Sequence, residues 1–293
     1  MSDFQGYKSV EDRVGVGWRP EIGVGILEQL EEIDIIEVVA ENCTHLSKSE
    51  LKVFNRLSSE VDVVVHAVSL GLASTYAVSS KHVEAVARVV GAIGPEAWSE
   101  HFAFVRTTDH ELGHLAAPPW SEETVESTIR NVHVAAKAIG SVPHLENIAT
   151  LYHPIGSTMS EAAWTTEIIK GAGVKLLLDL ENIYANSRNF QTDWLAEMLK
   201  FPLSDVKYVH IAGGHAATDE AGEYFLDDHL HPVAEEVYTL LEELASVVPQ
   251  TLTVILERDG NYPAFEEIKA ELDKARGALS RGRKRQTAVQ NAR

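Results

Sequence analysis

The chain has 293 residues, 45% of them hydrophobic, and a formal net charge of −19. This size allows one large domain, and the charge argues against nucleic acid or an anionic membrane surface as a partner. The single cysteine, Cys43, excludes an internal disulfide framework and a cysteine-rich zinc or iron–sulfur site, so a metal ion would need His, Asp and Glu ligands.

No targeting or membrane segment is visible in the sequence. The beginning, "MSDFQGYKSVEDRVG", lacks the apolar core of a secretory leader. No apolar run approaches the roughly 20 residues that a membrane helix needs. We therefore expect a cytoplasmic protein.

Eight short runs rich in β-branched residues follow one another, each succeeded by a stretch with helical spacing of apolar residues. The runs are 13–18, 33–41, 61–67, 97–105, 141–147, 174–181, 206–213 and 252–259. This alternation predicts a parallel sheet covered by helices, and eight strands fit a closed (β/α)8 TIM barrel of the α/β class. A doubly wound open sheet is the alternative, but "GVGWRP" after the first run lacks the third glycine of a dinucleotide-binding loop.

The barrel is expected to form a single domain over residues 13–278. One predicted helix begins with a capping box at Ser121 and Thr124 and ends at Gly140. Residues 1–12 would be an N-terminal extension. Residues 279–293 contain "RGRKR" and no apolar periodicity, so we expect a short, basic and disordered C-terminal tail.

Ionisable residues stand at the ends of several different predicted strands. In a TIM barrel the carboxyl ends of the strands form the reactive face, so such residues would meet at one mouth. They are His66, His101, Glu146, Asp179 with Asn182, His210 and Glu257, and the loop after the seventh strand, "LDDHLHP", adds Asp227 and His229. Glu41, Asn42, Asn147 and Asp259 lie at strand ends as well.

A single His or carboxylate at a strand end usually makes an ordinary hydrogen bond or caps a helix. Here several follow very apolar runs, where burying a charge is costly unless the groups share a cation. Imidazole and carboxylate without thiolate suit iron, manganese or zinc, and so many donors imply two or three metal ions, with Glu146 as a natural bridge. His215 and His231 are undecided, and Asp228 is expected to be a solvent-facing neighbour of Asp227.

Eight motifs resemble, in order and spacing, the multinuclear non-heme iron-dependent oxidative enzymes once catalogued as domain of unknown function 692. The motifs are "EVVAENCTHL", "VHAVSL", "SEHFAF", "HLENIAT", "LLLDLENIYANSRN", "YVHIAGGH", "LDDH" and "ILERD". The resemblance covers about residues 13 to 275. The "GVGWRPEI" opening is closer to the branch of the family that makes 3-thiaglutamate than to the methanobactin branch.

The resemblance implies a TIM barrel that holds two or three irons in mixed Fe(II)/Fe(III) states. Such enzymes use dioxygen (O2) to modify cysteines of a ribosomally made precursor peptide, and they work with a small partner protein that binds the leader peptide. The implied mechanism binds the substrate thiolate at one iron and dioxygen at another, so that hydrogen is taken from the cysteine β-carbon.

Position by position, the resemblance also implies the iron ligands. They are His66, His101, Glu146, Asp179, Asn182, His210, Asp227, His229 and Glu257, of which His101, Glu146 and Asp179 are the candidate catalytic residues. His215 is a further candidate ligand, displaced by one extra glycine from the family pattern. Phe190 stands where many members have a His, and Glu100 replaces the Asp of the family "S-D-H".

Two other classes of function remain open from the residues. A redox-neutral TIM-barrel enzyme with two or three divalent metals, such as a sugar isomerase or a phosphoesterase, would use the same ligand types. A metal-binding protein or scaffold without catalytic activity is the other alternative. Metal identity and oxygen consumption separate the iron enzyme from the redox-neutral one.

Overall fold

A computed structural model describes residues 11–107, 110–220 and 222–291. The strands within these ranges are β1 (Arg13–Gly17), β2 (Ile35–Val39), β3 (Asp62–His66), β4 (Ala97–His101), β5 (Phe104–Arg106), β6 (Glu111–Ala116), β7 (His144–Glu146), β8 (Lys175–Asp179), β9 (Val206–Ile211), β10 (Gly214–Asp219), β11 (Gly222–Asp227) and β12 (Thr253–Leu256). The helices are α1 (Gly23–Glu28), α2 (Ala40–Cys43), α3 (Lys48–Leu57), α4 (Ser80–Ile93), α5 (Glu122–Ile139), α6 (Glu161–Ala172), α7 (Leu180–Phe190), α8 (Trp194–Met198), α9 (Glu235–Val247) and α10 (Phe265–Asn291).

Eight of these strands close into a barrel in the order β1-β12-β9-β8-β7-β4-β3-β2. All neighbouring pairs in the barrel are parallel. Helices follow the barrel strands along the chain, which is the arrangement of a (β/α)8 TIM barrel. The predicted fold class is therefore confirmed.

A small apolar layer, which we call the floor, fills the interior of the barrel below the carboxyl ends of its strands. Ile35, Val64, Leu177, Tyr208 and Ile255 are each at most 4% exposed and pack together there. A larger apolar cluster lies between the strands and the surrounding helices. Because side chains alternate along a strand, the residue two positions after each floor residue also points into the barrel.

Helix α5 shows how local sequence sets the ends of the barrel helices. Ser121 accepts a hydrogen bond from the backbone of Thr124, and the Thr124 side chain bonds back to Ser121, which forms the predicted capping box. Gly140 ends the helix with φ of 94°, a left-handed conformation that glycine adopts without strain.

The expected disordered tail over residues 279–293 is corrected by the last helix, α10, which continues to Asn291. Leu279 and Gly282 are buried in this stretch. A Cβ at Gly282 would lie 2.4 Å from the carbonyl oxygen of Glu242, so this glycine lets α10 approach α9 closely. Beyond Leu279, Gly282 is the one buried position in the described part of this helix, so apolar periodicity does not reveal the continuation.

The basic residues of this stretch bind acidic and carbonyl groups of the domain. The Arg283 guanidinium bonds both carboxylate oxygens of Asp12 at 2.7 and 2.8 Å and also the Gln250 carbonyl. Arg285 pairs with Glu243 at 2.7 Å. The expected extension at 1–12 lies largely outside the described residues, but Asp12 itself accepts a hydrogen bond from Leu252 N.

Two antiparallel hairpins were not predicted, and both follow barrel strands. The predicted fourth strand, 97–105, divides into β4 and β5, and β5 pairs with β6. The loop after the seventh barrel strand, β9, contains the β10–β11 hairpin. Across the described residues, no helix has the length and apolar character needed to cross a membrane.

Candidate metal centre

Above the apolar floor, the lining of the barrel changes to ionisable side chains. Two residues after each of the five floor residues come Glu37, His66, Asp179, His210 and Glu257. The neighbouring strands β4 and β7 end in His101 and Glu146, which are paired in register. A ring of imidazoles and carboxylates therefore faces inward near the carboxyl ends of the strands, where TIM-barrel active sites form.

His66, His101 and Glu146 form one compact group. One oxygen of Glu146, Oε2, lies 3.5 Å from Nε2 of His66 and 3.5 Å from Nε2 of His101. All three residues are buried, and their donor atoms lie within 4.8 Å of one another. Among the described residues, Oε2 of Glu146 has no hydrogen-bond partner, so it is free to bind a cation.

A second group shares Glu146 and adds Asp179, His210 and Glu257. Nδ1 of His210 lies 3.1 Å from Oε1 of Glu146 and 3.0 Å from Oε2 of Glu257. Oδ2 of Asp179 is buried and has no partner within the described chain. Because the two oxygens of Glu146 face different groups, this carboxylate has the geometry of a bridge between two metal ions.

The charges of these groups are poorly balanced without a cation. Burial, together with the charges of Asp227 and Glu146, raises the pKa of Asp179 well above its usual value. The pKa of Glu257 is held well below its usual value, against the effect of burial, by His210 and His229. Burial and the neighbouring His101 and His210 lower the pKa of His66. Against the effect of burial, neighbouring carboxylates raise the pKa values of His101, His210 and His229. Metal ligands are neutral imidazoles and ionised carboxylates, so a bound cation would displace protons from these groups.

Both histidines of the first group lie beside a further buried polar side chain. His66 Nδ1 lies 2.8 Å from the Ser99 hydroxyl. Glu100, which is fully buried, lies 3.6 Å from His101 Nδ1 and accepts hydrogen bonds from the backbone of Leu70 and His101. Such outer contacts fix the ring orientation and tautomer of metal-binding histidines.

Glu37 was missed by the sequence reasoning. Its Oε2 lies 3.0 Å from Nε2 of His210, whereas Glu146 and Glu257 face Nδ1 on the other side of the same imidazole. The Glu37 side chain is fully buried. The signal in the sequence was a lone carboxylate in the middle of the apolar strand "IDIIEVVAE". Such a residue is costly to bury unless it has a partner in the interior.

Asp227, His229 and Asn182 lie beside the second group rather than inside it. His229 Nε2 is 3.0 Å from Asp227 Oδ1, and its Nδ1 is 3.9 Å from Glu257 Oε2. Oδ1 of Asn182 is buried and lacks a partner among the described residues. Asp227 and His229 are linked to the second group through Glu257, and Asn182 is linked to it through Asp179, whose Oδ1 accepts a hydrogen bond from the Asn182 backbone.

His229 is held in place by residues at the end of the eighth barrel strand. Its Nδ1 lies 3.0 Å from Oδ2 of Asp259, and Oδ1 of Asp259 accepts a hydrogen bond of 2.7 Å from Nε of the buried Arg19. The backbone of His229 has φ of 56°, a left-handed conformation that is uncommon outside glycine. Arg19 and Asp259 therefore support the ring from outside.

His215 does not join the ring, because it pairs with Asp228 at 2.8 Å. His231 pairs with the same carboxylate at 3.0 Å. Glu41, another strand-end acid, accepts hydrogen bonds from the backbone of Val68 and Ser69 and so caps a loop. The first two residues form a separate cluster with Asp228.

A cavity of about 610 Å³ leads from the surface to the ring. Its lining includes Arg19, Asn42, His66, His101, His229 and Glu257. The cavity opens onto four of the ligand candidates, His66, His101, His229 and Glu257.

Comparison with known proteins bears on this site. The family described as "RiPP precursor modification enzyme MbnB/TglH/ChrH" matches residues 13–280, where RiPP denotes a ribosomally made and later modified peptide. A UPF0276 protein of Streptomyces avermitilis is 34% identical over 276 residues, which cover 91% of this chain and 55% of the relative. A UPF0276 protein of Shewanella oneidensis is 30% identical over 271 residues, with coverages of 92% and 95%. The chain thus spans about half the length of the Streptomyces relative and nearly all of the Shewanella one.

Solved structures with a similar fold include two sugar epimerases. L-ribulose 3-epimerase superposes with a TM-score of 0.59 at 12% identity, over 95% of this chain and 98% of that one. D-psicose 3-epimerase, solved in the presence of D-fructose, gives 0.54 at 14% identity, over 94% and 99%. At such low identity the similarity shows a common barrel fold.

Proposed function

Because this chain belongs to the family of RiPP precursor modification enzymes, we propose that it oxidises cysteine residues of a ribosomally made precursor peptide with iron and dioxygen. The observation that carries the proposal is the position of Glu146 between two buried groups of His and carboxylate ligands. A site of this type suits two metal ions that share one carboxylate, and the family membership supplies the peptide substrate.

The residues present fit iron as the cofactor. Imidazole and carboxylate donors without thiolate are typical of non-heme iron, and the buried oxygens of Glu146, Asp179 and Asn182 that have no hydrogen-bond partner among the described residues are available to bind it. The proposed ligands of a first iron are His66, His101 and Glu146. Those of a second are Glu146, Asp179, His210 and Glu257, and Asn182, Asp227 and His229 would hold a third.

Iron would bind the substrate thiolate and dioxygen, and it would accept electrons from the cysteine that is oxidised. The chain itself fixes the ligand geometry. With its Nε2 proton donated to Glu37, His210 presents Nδ1 to Glu146 and Glu257. The apolar floor below Glu37 keeps water out of the lower barrel, while the mouth cavity receives the cysteine side chain. His101, Glu146 and Asp179 are the proposed catalytic residues. His101 and Asp179 belong to the two ligand groups that share Glu146.

The partners in this proposal are a cysteine-containing precursor peptide and a small protein that binds its leader. Co-expression of the enzyme with short cysteine-containing peptides encoded beside its gene, followed by mass spectrometry, tests the proposal. We expect a mass change that requires iron and air and is lost in His101→Ala and Glu146→Gln. The exposed His133→Ala serves as the matched control and should keep full activity.

A redox-neutral divalent-metal enzyme is the second candidate, favoured by the same ligand set and by the epimerase-like barrel. It predicts activity with Mn²⁺ or Mg²⁺ in the absence of oxygen, for example epimerisation of a ketose. Peptide modification that survives with zinc alone, or under argon, would contradict the oxidative proposal.

A further inference from the structure

A second cluster of potential metal ligands lies outside the barrel, at the base of the β10–β11 hairpin. It consists of His215 at the start of β10 and of Asp228 and His231 just after β11. Their donor atoms lie within 4.8 Å of one another. Among the described residues, none of the three makes an ion pair with the ring of the barrel.

Both histidines turn the same ring nitrogen toward the same carboxylate. Nδ1 of His215 is 2.8 Å from Oδ2 of Asp228, and Nδ1 of His231 is 3.0 Å from Oδ1. The two rings lie 4.7 Å apart between centroids. In a tetrahedral zinc site the donors are about 3.3 Å apart. The separations of 2.8 and 3.0 Å would therefore have to widen by only about 0.3 to 0.5 Å around a bound ion.

The backbone explains why this cluster is separate from the barrel ring. His229 has a left-handed backbone conformation, and the residues of "DDHLH" divide between two groups. Asp227 and His229 pair with each other beside the barrel ring, whereas Asp228 pairs with His231. A Cβ at Gly213 would lie 2.1 Å from the carbonyl oxygen of His231. The extra glycine in "AGGH" thus allows the two segments to pack closely and brings His215 to Asp228.

The exposure of the three side chains also suits a metal ion that keeps an open coordination position. The side chains of His215 and His231 are 39% and 40% exposed, while that of Asp228 is 19% exposed. Two imidazoles and one carboxylate leave one tetrahedral position for water or another ligand. The net charge of −19 attracts divalent cations toward the surface.

We propose that His215, Asp228 and His231 form a second metal site, which binds one zinc-type divalent cation and is distinct from the ring in the barrel. The bound ion joins the start of β10 to the segment after β11. Since that segment carries His229 and directly follows Asp227, the ion stabilises the loop that borders the barrel mouth. The site does not depend on which metal fills the barrel.

Zinc binding to the full-length, iron-loaded protein tests this proposal. After equilibrium dialysis against Zn²⁺ without oxygen, zinc and iron are both counted by elemental analysis. We expect His215→Ala and His231→Ala each to bind one zinc equivalent fewer than the wild type, with unchanged iron. His133→Ala, an exposed histidine on α5, should bind as much zinc as the wild type.

A second measurement covers the effect on stability. Zinc should raise the unfolding temperature of the wild type by a few degrees more than that of either variant. Equal zinc uptake by wild type and both variants overturns the proposal, and so does zinc loss that only accompanies loss of iron. The measured quantity is a difference of one zinc equivalent. This difference tests the second metal site even if the peptide-modifying activity proposed above is absent.

Discussion

Glu146 joins the two buried ligand groups because each of its oxygens faces a different set of partners. Oε2 lies near His66 and His101, and Oε1 lies near His210. Its position follows from β7, a short strand of three residues in which Glu146 pairs in register with His101 on one side and Leu177 on the other. A carboxylate at this point reaches the middle of the barrel.

Glu37 is expected to act on the metal through His210. Replacing it in Glu37→Gln removes the charge that holds the Nε2 side of the ring, and we expect metal affinity to fall about 10- to 100-fold. Equilibrium dialysis with iron or zinc measures this affinity. Glu96→Gln removes a carboxylate from the Arg13 and Tyr208 contacts and should leave the affinity unchanged.

An unchanged metal affinity in Glu37→Gln would show that His210 binds metal without the charged contact from Glu37. A parallel loss in Glu96→Gln would instead indicate a general effect of destabilising the barrel. Both variants should be checked for wild-type circular dichroism before metal is added.

Glu161 lines a separate cavity of about 370 Å³ beside α6 and α7. Burial raises the pKa of Glu161 to about 8. A hydrogen bond with Asn186 acts to lower this pKa, and the charge of Glu197 acts to raise it. The folded state therefore holds this proton more tightly than the unfolded chain, whose carboxyl titrates near 4.5. Stability from this group is complete below about pH 4.5 and is lost as the pH rises to about 8.

The Glu161→Gln variant removes that loss. Its free energy of unfolding should exceed that of the wild type by about 1 to 3 kcal/mol at pH 8, with a smaller difference at pH 5. Urea unfolding at the two pH values measures the difference. A gap that is the same at both values would mean that Glu161 titrates normally in the folded protein.

The last helix ties the end of the described chain to the domain. Gly282 packs against α9, and Arg283 bonds Asp12 and the backbone of α9 and the segments after it. Removing residues 281–293 should therefore lower the free energy of unfolding by about 2 to 4 kcal/mol, because several buried carbonyls lose their donor. Thermal or urea unfolding of the truncated chain provides the measurement.

The exposed Lys284→Ala, within the same helix, is the control and should change stability by less than about 0.5 kcal/mol. If the truncated protein is as stable as the full chain, the last turns of α10 do not contribute to the fold.

These elements also show what the sequence could predict. The eight barrel strands were visible because buried parallel strands are continuous apolar runs. The continuation of α10 was not, because after Leu279 its described part buries Gly282 and no large apolar residue. The β10–β11 hairpin was not predicted either, since its two strands bury only Phe225 and form no continuous apolar run of strand length.

The site was partly predictable for the same kind of reason. Strand-end residues such as His66 and Asp179 stand out against apolar runs, so their convergence could be expected from the fold. Glu37 lies one layer deeper, and only the packing around His210 identifies its role. The separation of His215 from the ring depends on the backbone at Gly213 and His229, which residue spacing does not reveal.

The molecule as a whole places a ring of His and carboxylate side chains that could hold metal ions inside a barrel whose floor is apolar. Burial and the nearby charges of Asp227 and Glu146 raise the pKa of Asp179, so bound cations are expected to stabilise this ring. Membership of the family of RiPP precursor modification enzymes is the ground for the proposed peptide substrate, and the mouth cavity leads to the ring. The proposed chemistry depends on the claim that at least two iron ions share Glu146.

Anomalous diffraction at the iron absorption edge, from crystals of protein loaded with iron without oxygen, tests that claim most directly. We expect at least two iron peaks in the barrel, one beside His66, His101 and Glu146 and another beside Glu146, Asp179, His210 and Glu257. A single iron peak, or iron bound only outside the barrel, would contradict the account.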